Sequence, residues 1–109
     1  ILELNQHYAQ TWTIEKMADF CSLSQDYLSH LFRKEYHITP MKYLTGLRID
    51  KAKDFLADEN LPVSEIAYLV GYSDPLYFRR IFKKTEQVSP QQSRKDILRI
   101  HTPFPTYEA

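Results

Sequence analysis

The fold is decided by one stretch of the chain, Val63 to Pro90, which reads VSEIAYLVGYSDPLYFRRIFKKTEQVSP. On both sides of Gly71 its apolar residues recur at the three- and four-residue intervals of an α-helix. Ser64 is a candidate N-cap for the first helix, and Gly71 can take the positive φ that ends it. The pattern therefore predicts a short helix, a tight turn and a second helix, which together form a helix-turn-helix.

The second predicted helix is amphipathic. Ser73 or Asp74 is its candidate N-cap, and Pro75 suits its first turn because an N1 residue has no intrahelical N–H bond to lose. Its apolar side is formed at i, i+3, i+4 spacing by Phe78, Ile81 and Phe82. Its opposite side carries Leu76, Arg79, Arg80 and Lys83. A basic outer face on the second helix of such a motif indicates that this helix binds DNA.

Charge is unevenly distributed, although the formal net charge of the 109-residue chain is zero. Residues 76–99 contain seven basic and two acidic side chains, whereas residues 1–75 contain seven basic and eleven acidic ones. The positive excess coincides with the predicted second helix and the segment after it. Taken alone, this excess is also typical of a solvated charged face; combined with the turn, it favours binding to a polyanion such as DNA.

Composition indicates an all-α fold and argues against several other classes of protein. The chain has two glycines, one cysteine and 43% hydrophobic residues, without the long alternating patterns of strands. One cysteine rules out a disulfide framework or a cysteine-built zinc site. The sequence has no apolar run near 18 residues, no glycine-rich phosphate loop and no Ser/His/Asp spacing. We therefore expect no enzyme activity, metal, cofactor or membrane segment, and we expect a cytoplasmic protein.

Four further helices are predicted in the N-terminal half. The first covers Leu2 to Ala9, and the second and third follow the candidate N-caps Thr13 and Ser24. The fourth is long, from Met41 to about Asp58, and Pro40 opens it. The residues expected to be buried in the second and third helices are Ile14, Met17, Ala18, Phe20, Cys21, Leu28, Leu31 and Phe32.

The chain also contains an internal repeat. Met17-Ala18 matches Ile66-Ala67 at an offset of 49 residues, and Thr39-Pro40 recurs as Ser89-Pro90 at an offset of 50. Between them, the run YLxxLFRK beginning at Tyr27 matches YFxxIFKK in the second helix of the opening stretch. The same unit therefore occurs twice, which predicts two helix-turn-helix elements joined by the long central helix.

The length of that central helix suits one continuous DNA site. A linker helix of about 17 residues is roughly 25 Å long, and one turn of B-DNA is about 34 Å. With the offset of each second helix from the linker ends, the two can enter successive major grooves on one face of the duplex. We therefore expect one chain to recognise an asymmetric site.

These residues resemble the signature of the AraC/XylS family of bacterial transcription regulators. The resemblance covers Leu2 to about Arg99 and is carried by Arg48-Ile49-xx-Ala52, Ile66-Ala67-xxx-Gly71-Tyr72-Ser73-Asp74-Pro75-x-Tyr77-Phe78-x-Arg80-x-Phe82-Lys83-Lys84 and Ser89-Pro90. It implies about seven helices in two homeodomain-like subdomains, residues 1–39 and 59–99, joined by a linker helix over 40–58 and followed by a tail over 100–109.

The resemblance also implies a function and partners. Members of this family bind double-stranded promoter DNA sequence-specifically, most often as activators that recruit RNA polymerase. They typically carry a separate sensing or dimerisation domain. The chain begins at Ile1 and not at methionine, so we expect it to be part of a longer protein.

By family position, the resemblance places base-contacting residues on both second helices. In the first element they are Gln25, Asp26, Ser29 and His30, and in the second they are Pro75, Leu76, Tyr77, Arg79 and Arg80. Phosphate contacts are expected from Arg33, Lys34, Lys83, Lys84, Arg94 and Lys95. Arg80 is the strongest candidate, because a guanidinium can bridge guanine O6 and N7; a phosphate contact is its alternative. Leu76 has two open roles, contact with a thymine methyl or packing on Tyr72.

Three departures from the family pattern modify these expectations. His37 and Gln87 stand where the family commonly has glycine, so each must tolerate a left-handed C-cap or leave its helix differently. Asp26 places a negative charge toward DNA, where it either accepts a hydrogen bond from cytosine N4 or caps its helix. The first element is thus the weaker DNA-binding element. The alternative function is a helical interaction module that docks an acidic partner or RNA polymerase, with only the second element touching DNA.

Overall fold

The computed structural model describes residues 2–101, and every regular element in that range is an α-helix. The all-α prediction is therefore confirmed, as is the predicted number of helices. The seven helices are α1 (Leu2–His7), α2 (Ile14–Phe20), α3 (Gln25–Tyr36), α4 (Pro40–Leu56), α5 (Val63–Leu69), α6 (Pro75–Glu86) and α7 (Pro90–His101). Most of the predicted tail lies outside the described residues. No helix within residues 2–101 combines the length and apolar character needed to cross a membrane.

The internal repeat is visible in the lengths of the helices. Helices α2 and α5 have seven residues each, and α3 and α6 have twelve each. Helices α4 and α7 both begin at a proline, fifty positions apart. We refer to α1–α3 as the first unit and to α5–α7 as the second unit. The 17-residue helix α4 links them.

Each unit has its own hydrophobic core, and α4 contributes to both. Leu44, in the first half of α4, packs with a core formed by Leu4, Met17, Ala18, Leu28 and Phe32. The second half of α4 packs with the other core, whose fully enclosed side chains include Ile49, Leu56, Ile66, Val70, Phe78 and Phe82. Tyr8 is half-buried against both cores. The linker is therefore a structural helix shared by two packed units.

Most of the predicted caps are confirmed. The hydroxyl oxygens of Thr13 and Ser24 each accept a hydrogen bond from a backbone N–H in the first turn of the following helix. Thr39, which was not among the predicted caps, does the same for α4. Between the two candidates for α6, Asp74 is the cap, because its carboxylate accepts from the N–H of Leu76. The assignment of Ser64 as an N-cap was wrong. Helix α5 begins at Val63, so Ser64 lies inside it, and the residue in the N-cap position is Pro62, whose side chain makes no capping hydrogen bond.

The predicted burial of Phe20 and Cys21 was also wrong. Both side chains are exposed, because α2 ends at Phe20 and Cys21 is already its C-cap. Ser22 then takes φ 57°, and the chain turns so that the N–H of Leu23 donates to the carbonyl of Ala18 at 2.9 Å. The sequence prediction had extended the helical spacing of α2 past this turn. For that reason it placed Phe20 and Cys21 on the buried side of the helix.

Among residues 2–101, three non-glycine residues occupy the left-handed region: Ser22, His37 and Gln87, at φ 57°, 63° and 70°. Gly71, which follows α5 in the second unit and corresponds to Ser22 in the repeat, has φ 106°. Of the two exits expected at His37 and Gln87, the left-handed C-cap is the one observed, while the positive φ of Ser22 was not predicted from the sequence. Each of the three carries a steric cost that glycine would not.

Replacing Gln87 with glycine is expected to stabilise the protein. Glycine removes the steric cost at φ 70°, and the gain should be about 0.5–1 kcal/mol, or a few degrees in Tm. The matched control is Lys84→Gly, three residues earlier within α6, where glycine should cost roughly 0.5–1 kcal/mol. Thermal unfolding followed by circular dichroism measures both, and a loss of stability in both variants would contradict the argument.

Candidate nucleic-acid interface

Helix α6 presents an exposed stripe because its opposite side is fully enclosed. Phe78 and Phe82 have no exposed surface, so Leu76, Tyr77 and Arg80 lie on the outer side. Leu76 is 68% exposed, which leaves its side chain available at the surface although it is apolar. Asp74 caps α6, and Pro75 is the first residue of this helix. The first turn of α6 therefore lies at one end of the stripe.

Arg79 differs from Arg80 although the two are adjacent. Arg80 is exposed, whereas Arg79 is half-buried, and its Nε is enclosed with no hydrogen-bond partner among the described residues. An enclosed donor of this kind is confined by packing and reaches less far from the helix surface. Of the two guanidinium groups, the one on Arg80 is therefore the more accessible to a ligand.

Helix α3 presents the equivalent stripe in the first unit. Leu28 and Phe32 are buried, and the side chains of Gln25, Asp26 and His30 are exposed, while Ser29 is half-buried. Ser24 caps α3 by accepting from the N–H of Tyr27 at 3.1 Å. The cap role considered for Asp26 is thus filled by Ser24, and the Asp26 carboxylate lies on the exposed side.

The repeat aligns the two stripes residue by residue but gives them different chemistry. At an offset of fifty, Asp26 corresponds to Leu76 and His30 to Arg80. Tyr27 stacks on His30 with ring centroids 6.4 Å apart, whereas its counterpart Tyr77 packs near the Tyr72 ring at 6.0 Å. Helix α3 therefore offers a mixed acidic and imidazole surface, and α6 an apolar and basic one.

Five of the six predicted phosphate-contacting residues are exposed: Arg33, Lys34, Lys83, Lys84 and Lys95. Arg94 is not free in this way. Its Nε donates to the carbonyl of Leu56 at 3.1 Å, and its Nη2 donates to the carbonyls of Asp58, at 3.1 Å, and Leu61. These contacts give Arg94 a structural role, because they hold the loop between α4 and α5. Its phosphate contact stays a prediction from the sequence.

An ion pair connects α6 to the linker. Lys53 Nζ lies 3.0 Å from Glu86 Oε1 and 3.5 Å from Asp50 Oδ1. The hydrogen bond to Glu86 raises the pKa of Lys53, and the nearby negative charges add to this effect. The pair joins the last turn of α6 to the middle of α4, so it helps to fix the direction of α6 relative to the linker.

Sequence reasoning gave no structural role to Arg48, which appears there only within a motif. In the structure its guanidinium carbon lies 5.3 Å from the centroid of the Tyr72 ring. Burial raises the pKa of the Tyr72 phenol, and the Arg48 charge opposes this shift. An arginine in the middle of a predicted linker helix resembles a solvated residue in sequence, so only the folded contacts could identify its role.

Comparison with known proteins agrees with this geometry. A family model described as a helix-turn-helix domain matches residues 17–96. The raffinose operon transcriptional regulatory protein RafR of Pediococcus pentosaceus is 37% identical over 94 residues, which are 86% of this chain and 34% of RafR. The arabinose operon regulatory protein of Escherichia coli (strain K12) is 35% identical over 92 residues, 84% of this chain and 32% of that protein. The chain thus spans about a third of the length of these relatives.

Solved structures show the same fold. The C-terminal domain of AraT, a response regulator from Geobacillus stearothermophilus, has a TM-score of 0.86 and 34% identity, covering 99% of this chain and 91% of that one. The DNA-binding domain of AdpA, solved in complex with a target DNA, has a TM-score of 0.85 over 92% of this chain and 90% of that one. At 21% identity this second likeness is one of fold. The chain therefore belongs to the AraC family of transcription regulators and is a helix-turn-helix DNA-binding domain of that family.

Proposed function

We propose that this domain binds an asymmetric promoter site with α3 and α6 in two successive major grooves. The observation that carries the proposal is the equivalence of the two helices: both have twelve residues, both begin at a capped turn, and both expose the same positions from the second residue to the eleventh. They are joined by one 17-residue helix of roughly 25 Å, a length that suits grooves about 34 Å apart once the offset of each unit is added.

The expected base contacts follow the exposed stripes. In α6 they come from Arg80, with Leu76 against a thymine methyl and smaller roles for Pro75, Tyr77 and Arg79. In α3 they come from Gln25, Asp26, Ser29 and His30. The exposed basic residues near these stripes position the domain on phosphates: Arg33, Lys34, Lys83, Lys84 and Lys95.

The same proposal extends to the longer protein. One relative is named a lactose operon transcription activator, from Staphylococcus xylosus, at 32% identity, and others are named for sugar operons. We infer that this domain belongs to a cytoplasmic activator that works with RNA polymerase and that a sensing or dimerisation domain accompanies it. The observation favouring the alternative is the exposed Asp26 carboxylate, which repels phosphate and is consistent with an α3 that docks a protein.

Selection from random duplexes separates these possibilities. The purified 109-residue chain is incubated at moderate salt with a duplex pool containing about 25 randomised base pairs, a length that exceeds two turns of B-DNA, and the bound fraction is sequenced. Enrichment of two different blocks about one helical turn apart supports the proposal. A single enriched block means that α3 does not contact bases. If no sequence is enriched even when the selection is repeated at low salt, DNA recognition by the isolated domain is overturned.

Arg80→Ala is expected to remove discrimination at one or two base pairs of the block bound by α6. A bidentate contact to guanine is worth about 1–3 kcal/mol, so preference there should fall roughly 5- to 150-fold. Arg80→Lys keeps the charge but lacks the two parallel N–H donors that bridge guanine O6 and N7, so it should also lose base preference. Lys84→Ala should weaken binding evenly across sequences, because a phosphate contact carries no sequence information. Competition binding with single-base variants of the selected site measures these changes; an unchanged base preference in Arg80→Ala would remove the assignment.

A further inference from the structure

Arg48 contacts the loop that follows α1 in the first unit. Its Nε donates to the carbonyl of Tyr8 at 2.8 Å, and its Nη2 donates to the carbonyl of Gln10 at 2.7 Å. Hydrogen bonds from a charged donor are among the stronger ones in proteins, and two from one guanidinium also fix its plane. The loop is therefore held against the middle of α4.

The same guanidinium faces the second unit. It lies over the Tyr72 ring at 5.3 Å, within cation–π range, and Tyr72 is buried in the core of that unit. A Cβ placed on Gly71 would lie 3.0 Å from Arg48 Nε and 3.0 Å from both Cα and the carbonyl oxygen of Ala9. The backbone of the first unit thus packs directly on the turn of the second unit. We call Tyr8, Gln10, Arg48, Gly71 and Tyr72 the junction.

Arg94 provides an internal comparison, because α7 stands after the second unit as α4 stands after the first. Arg94 also holds the loop that precedes its helix-turn-helix, through the carbonyls of Leu56, Asp58 and Leu61. Those partners lie beside the second unit alone, at the end of α4 and in the loop that leads to α5. Arg48 makes comparable contacts in the first unit from a different place in its helix, since it is the ninth residue of α4 and Arg94 is the fifth residue of α7. Arg48 in addition contacts the second unit through the Tyr72 ring.

We propose that Arg48 is a positioning residue that holds the two recognition helices in one relative orientation and so sets the spacing of the DNA site. This inference rests on the proposed binding by two helices. The two cores pack on different halves of α4. Without a further contact, the relative orientation of the two units would depend on these two packing surfaces and, for the second unit, on the Lys53–Glu86 ion pair. The junction opposes rocking of one unit relative to the other, since that motion would separate the guanidinium from the two carbonyls or from the Tyr72 ring.

The test measures tolerance to spacing. Affinities of the 109-residue chain are determined for the selected site and for versions with one or two base pairs added or removed between the blocks. The variants are Arg48→Met, which keeps the length without donors, and Arg48→Lys, which keeps the charge but cannot bridge both carbonyls in one plane. The matched control is Lys42→Met, which removes the same charge from an exposed position of α4 that is not one of the junction residues.

Wild type is expected to lose about tenfold in affinity when the spacing changes by one base pair and about 10²-fold when it changes by two, because each shift rotates and translates one block relative to the other. Arg48→Met should lose less than about threefold per base pair while binding the best site roughly tenfold more weakly. Lys42→Met should keep the wild-type ratio. A merely structural loss lowers all affinities together and leaves the ratio unchanged.

Two outcomes overturn the inference and are distinguishable from failure of the proposed function. If Arg48→Met keeps the wild-type ratio, Arg48 does not set spacing. If Arg48→Met does not fold, Arg48→Lys takes its place, and a wild-type ratio in that variant likewise means that Arg48 does not set spacing. If wild type itself ignores spacing or selects one block only, binding by two helices is wrong, whatever the variants do.

Discussion

Replacing Arg94 with alanine is expected to lower the free energy of unfolding by about 3 kcal/mol, because the change leaves three carbonyl oxygens without their charged donor. For a domain of about this size that loss corresponds to a fall of roughly 12 °C or more in Tm. It is a large share of a typical stability of about 5–15 kcal/mol. The loop between α4 and α5 would lose its connection to α7, so the second unit should be affected most.

The control for this prediction is the adjacent Lys95→Ala. Lys95 is exposed, and removing its side chain should change stability by less than about 0.5 kcal/mol. Arg94→Lys keeps the charge but replaces the planar guanidinium donors with a single ammonium group. Its free energy of unfolding should therefore lie between those of Arg94→Ala and Lys95→Ala. Urea unfolding followed by circular dichroism measures all three variants. If Arg94→Ala and Lys95→Ala unfold at the same midpoint, the carbonyl contacts contribute nothing.

Arg94 and Lys95 show which property of a candidate site residue cannot be predicted from the sequence, namely its main-chain hydrogen-bond partners. Arg94 and Lys95 are adjacent basic residues in a basic segment, and a phosphate contact is predicted from the sequence for both. What separates them is a set of main-chain carbonyls more than thirty residues away in the chain, which carry no side-chain signal. Arg48 went unassigned for the same reason, since its partners are the carbonyls of Tyr8 and Gln10.

The fold was far more predictable, because its determinants are local. Helical spacing, capping residues and Gly71 act within a few residues of each other, and the repeat applied the same information to both units. The errors occurred where a tertiary or backbone detail replaced the local rule. Ser22 stands where the second unit has Gly71, at an offset of 49, and adopts the positive φ that was expected only of the glycine. Helix α2 therefore ends at Phe20, and Cys21 stays outside the core.

Inserting five base pairs between the two blocks of the selected site is expected to lower affinity by about 10²- to 10³-fold, since it turns one block to the opposite face of the duplex. Helix α4 is continuous over 17 residues, and its ends are packed into both cores. One recognition helix must then leave its groove, so that its base contacts and adjacent phosphate contacts are lost together. Titrations by fluorescence anisotropy at fixed salt measure this loss.

Inserting ten base pairs decides what joins the two recognition helices. This insertion restores the face of the duplex but moves one block by about 34 Å, farther than an α4 of roughly 25 Å allows. Affinity should therefore stay low, near the value for a single block. Recovery at ten base pairs would mean that two chains, or two loosely tethered units, occupy the blocks. A site that tolerates five added base pairs would instead mean that one helix alone supplies the affinity. Persistent loss at both lengths is the result expected of two recognition helices fixed on one rigid linker.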